Sequence, residues 1–204
     1  MNRDKYRNLT DILKLGLDSQ DRLADLNKVA SDRIKSSDYS RVYDMLGELV
    51  NIAEETDIKK SAEKEKRLDE LCSEFSVIRL ELLKEAELLA SLRSTNEHYI
   101  TLLDKDIEEA GAYLSEPVDT TETDAYTKYD TMQKRAQELS VTKNVAVSFS
   151  EQIKLSEVPL RSLSDRILSV LMNLIPLLRG RLSAEKSRIM ADELRKLITL
   201  SQPA

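Results

Sequence analysis

Apolar side chains recur every third or fourth residue through most of this chain, most regularly between about Lys60 and Leu114. Proline is absent from that stretch, its first glycine is Gly111, and Leu, Glu, Lys, Ala and Arg dominate, as a long helix requires. With Leu68 as heptad position a, the a series is Leu68, Phe75, Leu82, Leu89, Asn96, Leu103 and Ala110. The d series is Leu71, Ile78, Glu85, Leu92, Tyr99, Asp106 and Tyr113. Ala86, Ile100, Ile107 and Leu114 widen the stripe, so the helix needs neighbours on more than one side. About 55 helical residues would extend about 80 Å. Three polar residues enter the seam: Glu85, Asn96 and Asp106. Asn96, at an a position, is the candidate for fixing coiled-coil register. The preferred expectation is that the seam opens to water there, because two of the three intruders are carboxylates, costly to bury unpaired.

Shorter elements flank this helix. Leu9, Ile12, Leu13, Leu23, Leu26 and Ala30 predict one amphipathic helix over Asn8–Lys35. Past a polar joint at Ser36–Asp38, Val42, Met45, Leu46, Leu49 and Ala53 predict a second. The acidic cluster Glu54–Asp57 and basic run Lys59–Lys66 mark a boundary before the long helix. Beyond it, Pro117 disfavours helix at Glu116, and Thr121 with Asp124 resembles a capping pair that opens a fourth helix. That helix carries Tyr129, Met132, Ala136, Leu139, Ala146, Phe149 and Ile153 on one face. Pro159 is expected to interrupt it, with Ser162 or Ser164 capping the next. Pro176 should kink or break that next helix near Met172–Ile175, and Gly180 should end it. Ser183–Leu200 reads as a last helix with Ile189, Leu194 and Leu197 inward. The expectation is an all-α fold: an elongated antiparallel helical bundle or coiled coil built on one long central helix. Its segments are an N-terminal helical part (1–57), the long helix (58–115) and a C-terminal helical region (121–204).

Composition agrees with helices and thins the core. Of 204 residues, 33% are charged, 41% hydrophobic and 4% aromatic, with no tryptophan, so leucine, isoleucine and valine do the packing. The N-terminal sequence lacks the order of a secretory signal, and a single cysteine, Cys72, fits a reducing compartment. The uncharged run Ile167–Leu178 is shorter than the roughly 20 residues needed to span a bilayer. A cytoplasmic protein follows as the expectation, with peripheral membrane association as the variant.

Little in the sequence supports catalysis. His98 is the sole histidine, on an outer heptad position, and no Glu-x-x-His pair exists for a di-iron carboxylate site. One Cys and one His do not make a zinc site, and neither a nucleophile elbow nor a phosphate-binding glycine loop is found. No enzyme, metal or cofactor is expected. Charge is uneven within a net −6. Glu97–Asp130 holds ten acids against Lys105 and Lys128, whereas the chain from Leu160 onward holds eight bases against four acids. This asymmetry can steer a partner or seat the C-terminal part on an anionic membrane. Nucleic acid is not expected, because the basic region has no aromatic residue to stack on bases.

Three elements in order carry a family likeness: Leu139, Thr142 and Lys143; then Gln152, Ile153, Lys154 and Leu155; then Ile175, Pro176 and Leu177 with Arg179 close behind. The series resembles the signature of the toxic-anion-resistance, TelA-like family associated with tellurite resistance, as a compact or truncated member. Two positions depart from the family pattern: Glu151 stands where proline is common, and Leu178 where an aromatic is common. The resemblance implies an all-helical protein with a stress or resistance role, and no catalytic residue list. The resulting expectation is a non-enzymatic scaffold or adaptor acting through other proteins, with self-association open. The alternatives are a peripheral membrane protein using 167–181, or a direct oxyanion binder. Lys154, Arg161 and Arg179 are the candidate anion or partner contacts, and Thr142 and Gln152 the candidate bonds across helices.

Overall fold

A computed structural model describes residues 3–36, 39–54, 61–118 and 122–200. Among them the fold is an all-α helical bundle with no strand. A 3₁₀ turn, Arg3–Tyr6, leads into α1 (Leu9–Leu13), followed by α2 (Leu17–Ser36), α3 (Ser40–Glu54), α4 (Ser61–Leu114), α5 (Thr123–Ser169), a π turn at Val170–Leu174, and α6 (Ile175–Leu200). Residues 37–38 of the expected joint Ser36–Asp38, residues 55–60 of the expected boundary between Glu54 and Lys66, the capping Thr121, and the side chains of Ile189, Leu194 and Leu197 lie outside the described residues.

The chain forms two compact units that cut across the three expected segments. One comprises Met1–Ser37 and Ala86–Val158; the other comprises Asp38–Glu85 and Pro159–Ala204. Helices α4 and α5 each contribute to both.

In the first unit α1 and α2 lie against the second part of α4 and the first part of α5, burying Ile12, Leu15, Leu23, Leu103, Ala110, Met132, Leu139 and Ala146 in one core. The expected single helix over Asn8–Lys35 is two, because Gly16 takes a left-handed φ of +69° that ends the first turn run. Asn8 starts α1 with a reciprocal cap: its side chain accepts from the Asp11 N–H, and the Asp11 carboxylate accepts from the Asn8 N–H. In the second unit α3 buries Val42, Met45 and Leu49, α4 buries Leu68, Leu71, Phe75, Ile78 and Leu82, and the chain beyond Pro159 buries Leu160, Ile167, Ile175, Leu178 and Leu182.

Two expected stops are absent. Pro159 sits inside α5, and α6 runs through Gly180. Both residues are exposed, so the missing donor and missing side chain face water, while buried residues on the opposite side continue to hold the helix. The kink expected at Pro176 takes another form. Buried positions on α5 advance by sevens from Met132 through Leu139, Ala146, Ile153 and Leu160 to Ile167, and then by eight to Ile175. The π turn absorbs that one additional residue: the Ile175 N–H bonds the Val170 carbonyl, five residues back. Pro176 follows directly, so the wide turn also removes the clash its ring would make in an ordinary α-turn.

Candidate functional site

In the first unit α5 has one face fastened to the core and the opposite face open. On the fastened face, Leu139 lies under Gly16, where a Cβ would stand 2.6 Å from the Leu139 Cδ2. Thr142 Oγ1 accepts from Gln20 Nε2 at 2.8 Å and donates to the Glu138 carbonyl, tying α2 to α5. Lys143 pairs with Asp104 of α4 at 2.5 Å. Asn96 is fully buried, and its Nδ2 donates to the Ala146 carbonyl at 2.8 Å. The seam is therefore closed at Asn96, contrary to the preferred expectation, because a carboxamide can bury itself on one backbone oxygen without a charge to neutralise.

Asp106 of the seam and Glu109, three residues on, meet different surroundings, while Glu85 is half-buried in the seam. Asp106 is half-buried beneath Gly16, and burial, then the neighbouring Glu109 charge, raises its pKa above the ordinary aspartate value. Arg135, buried on α5, donates through Nε to the Leu15 carbonyl at 2.8 Å and through Nη1 to Glu138 at 3.0 Å, and its charge draws Asp106 partly back. Glu109 accepts from Lys5 Nζ at 2.5 Å and from Tyr6 Oη at 2.7 Å. Burial alone would raise its pKa, but those bonds and the Lys5 charge outweigh it and bring it below the usual glutamate value. Burial and this acceptor push the Tyr6 phenol up, while the ring meets Tyr113 edge-on at 5.8 Å. This cluster clasps the N-terminal segment onto α4 and α5. Sequence reasoning singled out Asp106 without its partners. The signal for Arg135 was a base three residues after core Met132, in heptad phase with it.

On the open face, Val141, Val145, Ser148, Gln152 and Leu155 follow one another at steps of four and three, all exposed. A shallow groove of 390 Å³ runs along them, lined by Val141, Asn144, Val145, Ser148, Phe149 and Gln152, with no charged group. A second, of 630 Å³, begins at the same Val141 and is lined by Gln20, Lys134, Arg135, Gln137, Glu138 and Thr142. Its cations are already neutralised, Lys134 by Asp130 at 2.7 Å and Arg135 by Glu138. Gln152 therefore lies on the outer stripe and makes no bond in the core, unlike Thr142. Ile153, beside it, is fully buried.

The remaining signature residues fall elsewhere. Lys154 is exposed in the first unit and weakly paired with Glu151 at 3.6 Å. Arg161, Ile175, Pro176 and Arg179 belong to the second unit. There Ile175 is core, Arg161 and Pro176 are exposed, and Arg179 bonds Asp69 of α4 at 2.5 Å. The three candidate anion contacts are thus divided between units, and Lys154 and Arg179 are paired with Glu151 and Asp69. Among the described residues no cluster of His, Cys, Asp and Glu could hold a metal ion, and His98 is exposed.

Comparison with protein-family models, with curated proteins and with solved structures returns no match.

Proposed function

We propose that this chain is a non-enzymatic helical scaffold of the toxic-anion-resistance type, acting in a cytoplasmic stress response through contacts with other proteins. The observation that carries the scaffold reading is the outward stripe of α5, where Val141 is 62%, Val145 57% and Leu155 72% exposed at coiled-coil spacing. Exposed valines at such steps offer knobs to a partner helix, and the uncharged groove beside them costs little to desolvate. The opposite face of the same helix is pinned by Asn96, Arg135 and Thr142, so the stripe is presented on a rigid support. The tie to toxic anions rests on the sequence resemblance between Leu139 and Arg179.

A strain lacking the gene tests both parts. Restoring the wild-type chain should raise tellurite tolerance, and Val141→Asp with Val145→Asp should abolish that rescue while helix content by circular dichroism stays unchanged. No difference in tolerance between the deletion strain and the restored strain removes the resistance role. Full rescue by the double variant removes the stripe as its working surface.

A further inference from the structure

The second unit has an apolar surface of a different kind. Ile167–Leu178 contains no charged residue, yet Leu168 and Leu174 are each 37% exposed, Met172 68% and Leu177 70%. Ser169 and Asn173 are its polar residues, and a helix so largely apolar is normally enclosed, as the core of a protein or within a membrane. Here the protein encloses one side, at Ile167, Ile175 and Leu178: the most apolar 18-residue stretch between Thr123 and Arg188 has a mean hydropathy of 1.3 and is only 22% buried. The core-helix explanation of such a stretch predicts the reverse.

We propose that this ridge docks on an anionic phospholipid surface, lying in the headgroup region with Leu168, Met172 and Leu177 inserted. Charge and length select lipid. Arg161 and Arg166 precede the uncharged run and Arg179 and Arg181 follow it, so cationic side chains stand at both ends of the apolar body, where their stems can reach headgroup phosphates. Asp165 stands between Arg161 and Arg166 in the sequence, Arg179 and Arg181 carry acidic partners in Asp69 and Glu185, and Arg181 also donates to the Ala53 carbonyl at 2.8 Å. Those pairs are half exposed and worth little, so exchange for phosphate is not opposed. Twelve uncharged residues extend about 18 Å, short of the roughly 30 Å hydrocarbon core, so the segment lies along the interface and does not cross it. Pro176 points the same way, since it leaves a carbonyl without its helical donor, tolerable where water reaches and costly in the dry interior.

Co-flotation of the full chain with vesicles tests this. Wild type should float with phosphatidylcholine–phosphatidylglycerol vesicles at low salt and far less with phosphatidylcholine alone. Met172→Glu with Leu177→Glu should weaken binding by at least about tenfold, since two inserted side chains are lost. Arg166→Glu should weaken it by a smaller factor and flatten its salt dependence. Circular dichroism and thermal unfolding of the variants check that they remain folded. Absence of wild-type flotation, or equal flotation of the Met172/Leu177 variant, overturns the proposal. So does a halved solution mass for that variant without vesicles, which would make the ridge a contact between protein copies. The α5 stripe variants at Val141 and Val145 should float normally, which separates failure of this docking from failure of the scaffold reading.

Discussion

The two units secure their helices with different balances of polar contact. In the first, polar groups are sunk into the packing: Asn96 on the Ala146 carbonyl, Arg135 on the Leu15 carbonyl, Tyr6 on Glu109. In the second, charges fringe the surface: Arg67 reaches Glu48, Glu70 and Glu74, Arg41 also reaches Glu74, Arg179 takes Asp69, and Lys186 takes Glu65. A buried pin has one partner and no substitute from water, so it specifies which turns face each other. A surface pair is replaceable and adds little stability, so alignment in the second unit rests more on the shapes of Phe75, Leu71, Leu160 and Ile167, with Lys64 and Ser164 the polar side chains buried there.

Substitutions can break this contrast. Phe75→Ala should cost most, about 4 kcal/mol in urea unfolding, because it empties a fully buried aromatic site in the unit that depends on shape. Gly16→Ala should cost about 3 kcal/mol, combining the left-handed backbone with the contact on Leu139. Asn96→Ala should cost about 1–2 kcal/mol. A change below the error of the measurement would deny Asn96 its role as a pin.

A pH series sharpens the comparison. The folded state raises the Asp106 pKa, so the ionised carboxylate destabilises the first unit at neutral pH, and that penalty disappears as the pH falls through the raised value toward the ordinary aspartate range near about 3.9. Asp106→Asn should therefore be more stable than wild type at pH 7, with the gap closing on acidification. Glu109 has the opposite sign: its lowered pKa contributes stability above the ordinary glutamate range, lost as the pH falls through the folded value. Smallest of all, Arg67→Ala should cost less than about 1 kcal/mol despite three acidic neighbours, and a larger loss would put the second unit in the same class as the first.

Periodicity carried most of the fold. Every a position proposed from Leu68 to Ala110 is buried, and the long helix runs Ser61–Leu114 against an expectation of about Lys60 to Leu114. Local breakers misled where burial overruled them: Pro159 and Gly180 face water while Ile153, Leu160, Leu178 and Leu182 hold the other side. Gly16 went unnoticed because a lone glycine in an amphipathic run carries no mark of its φ. The candidate site was less legible. Val141, Val145 and Leu155 stand in the stretch that carries the motifs, but their exposure depends on which face Leu139, Ala146 and Ile153 claim, and only the packed structure decides that. The clasp around Asp106 joins residues over a hundred positions apart, beyond the reach of local spacing.

The widened turn at Val170–Leu174 works as a loop of slack in an otherwise taut line. With its spare residue held there, Ile175 and Leu182 keep the bearing set by Ile167, and the rod beyond does not swing to water. Removing Asn173 should draw that slack in and keep the same residues inward, but it brings back the ring clash at Pro176 that the wide turn relieves, so the deletion should cost stability. Adding a residue one or two turns away would spin everything downstream by about 100°.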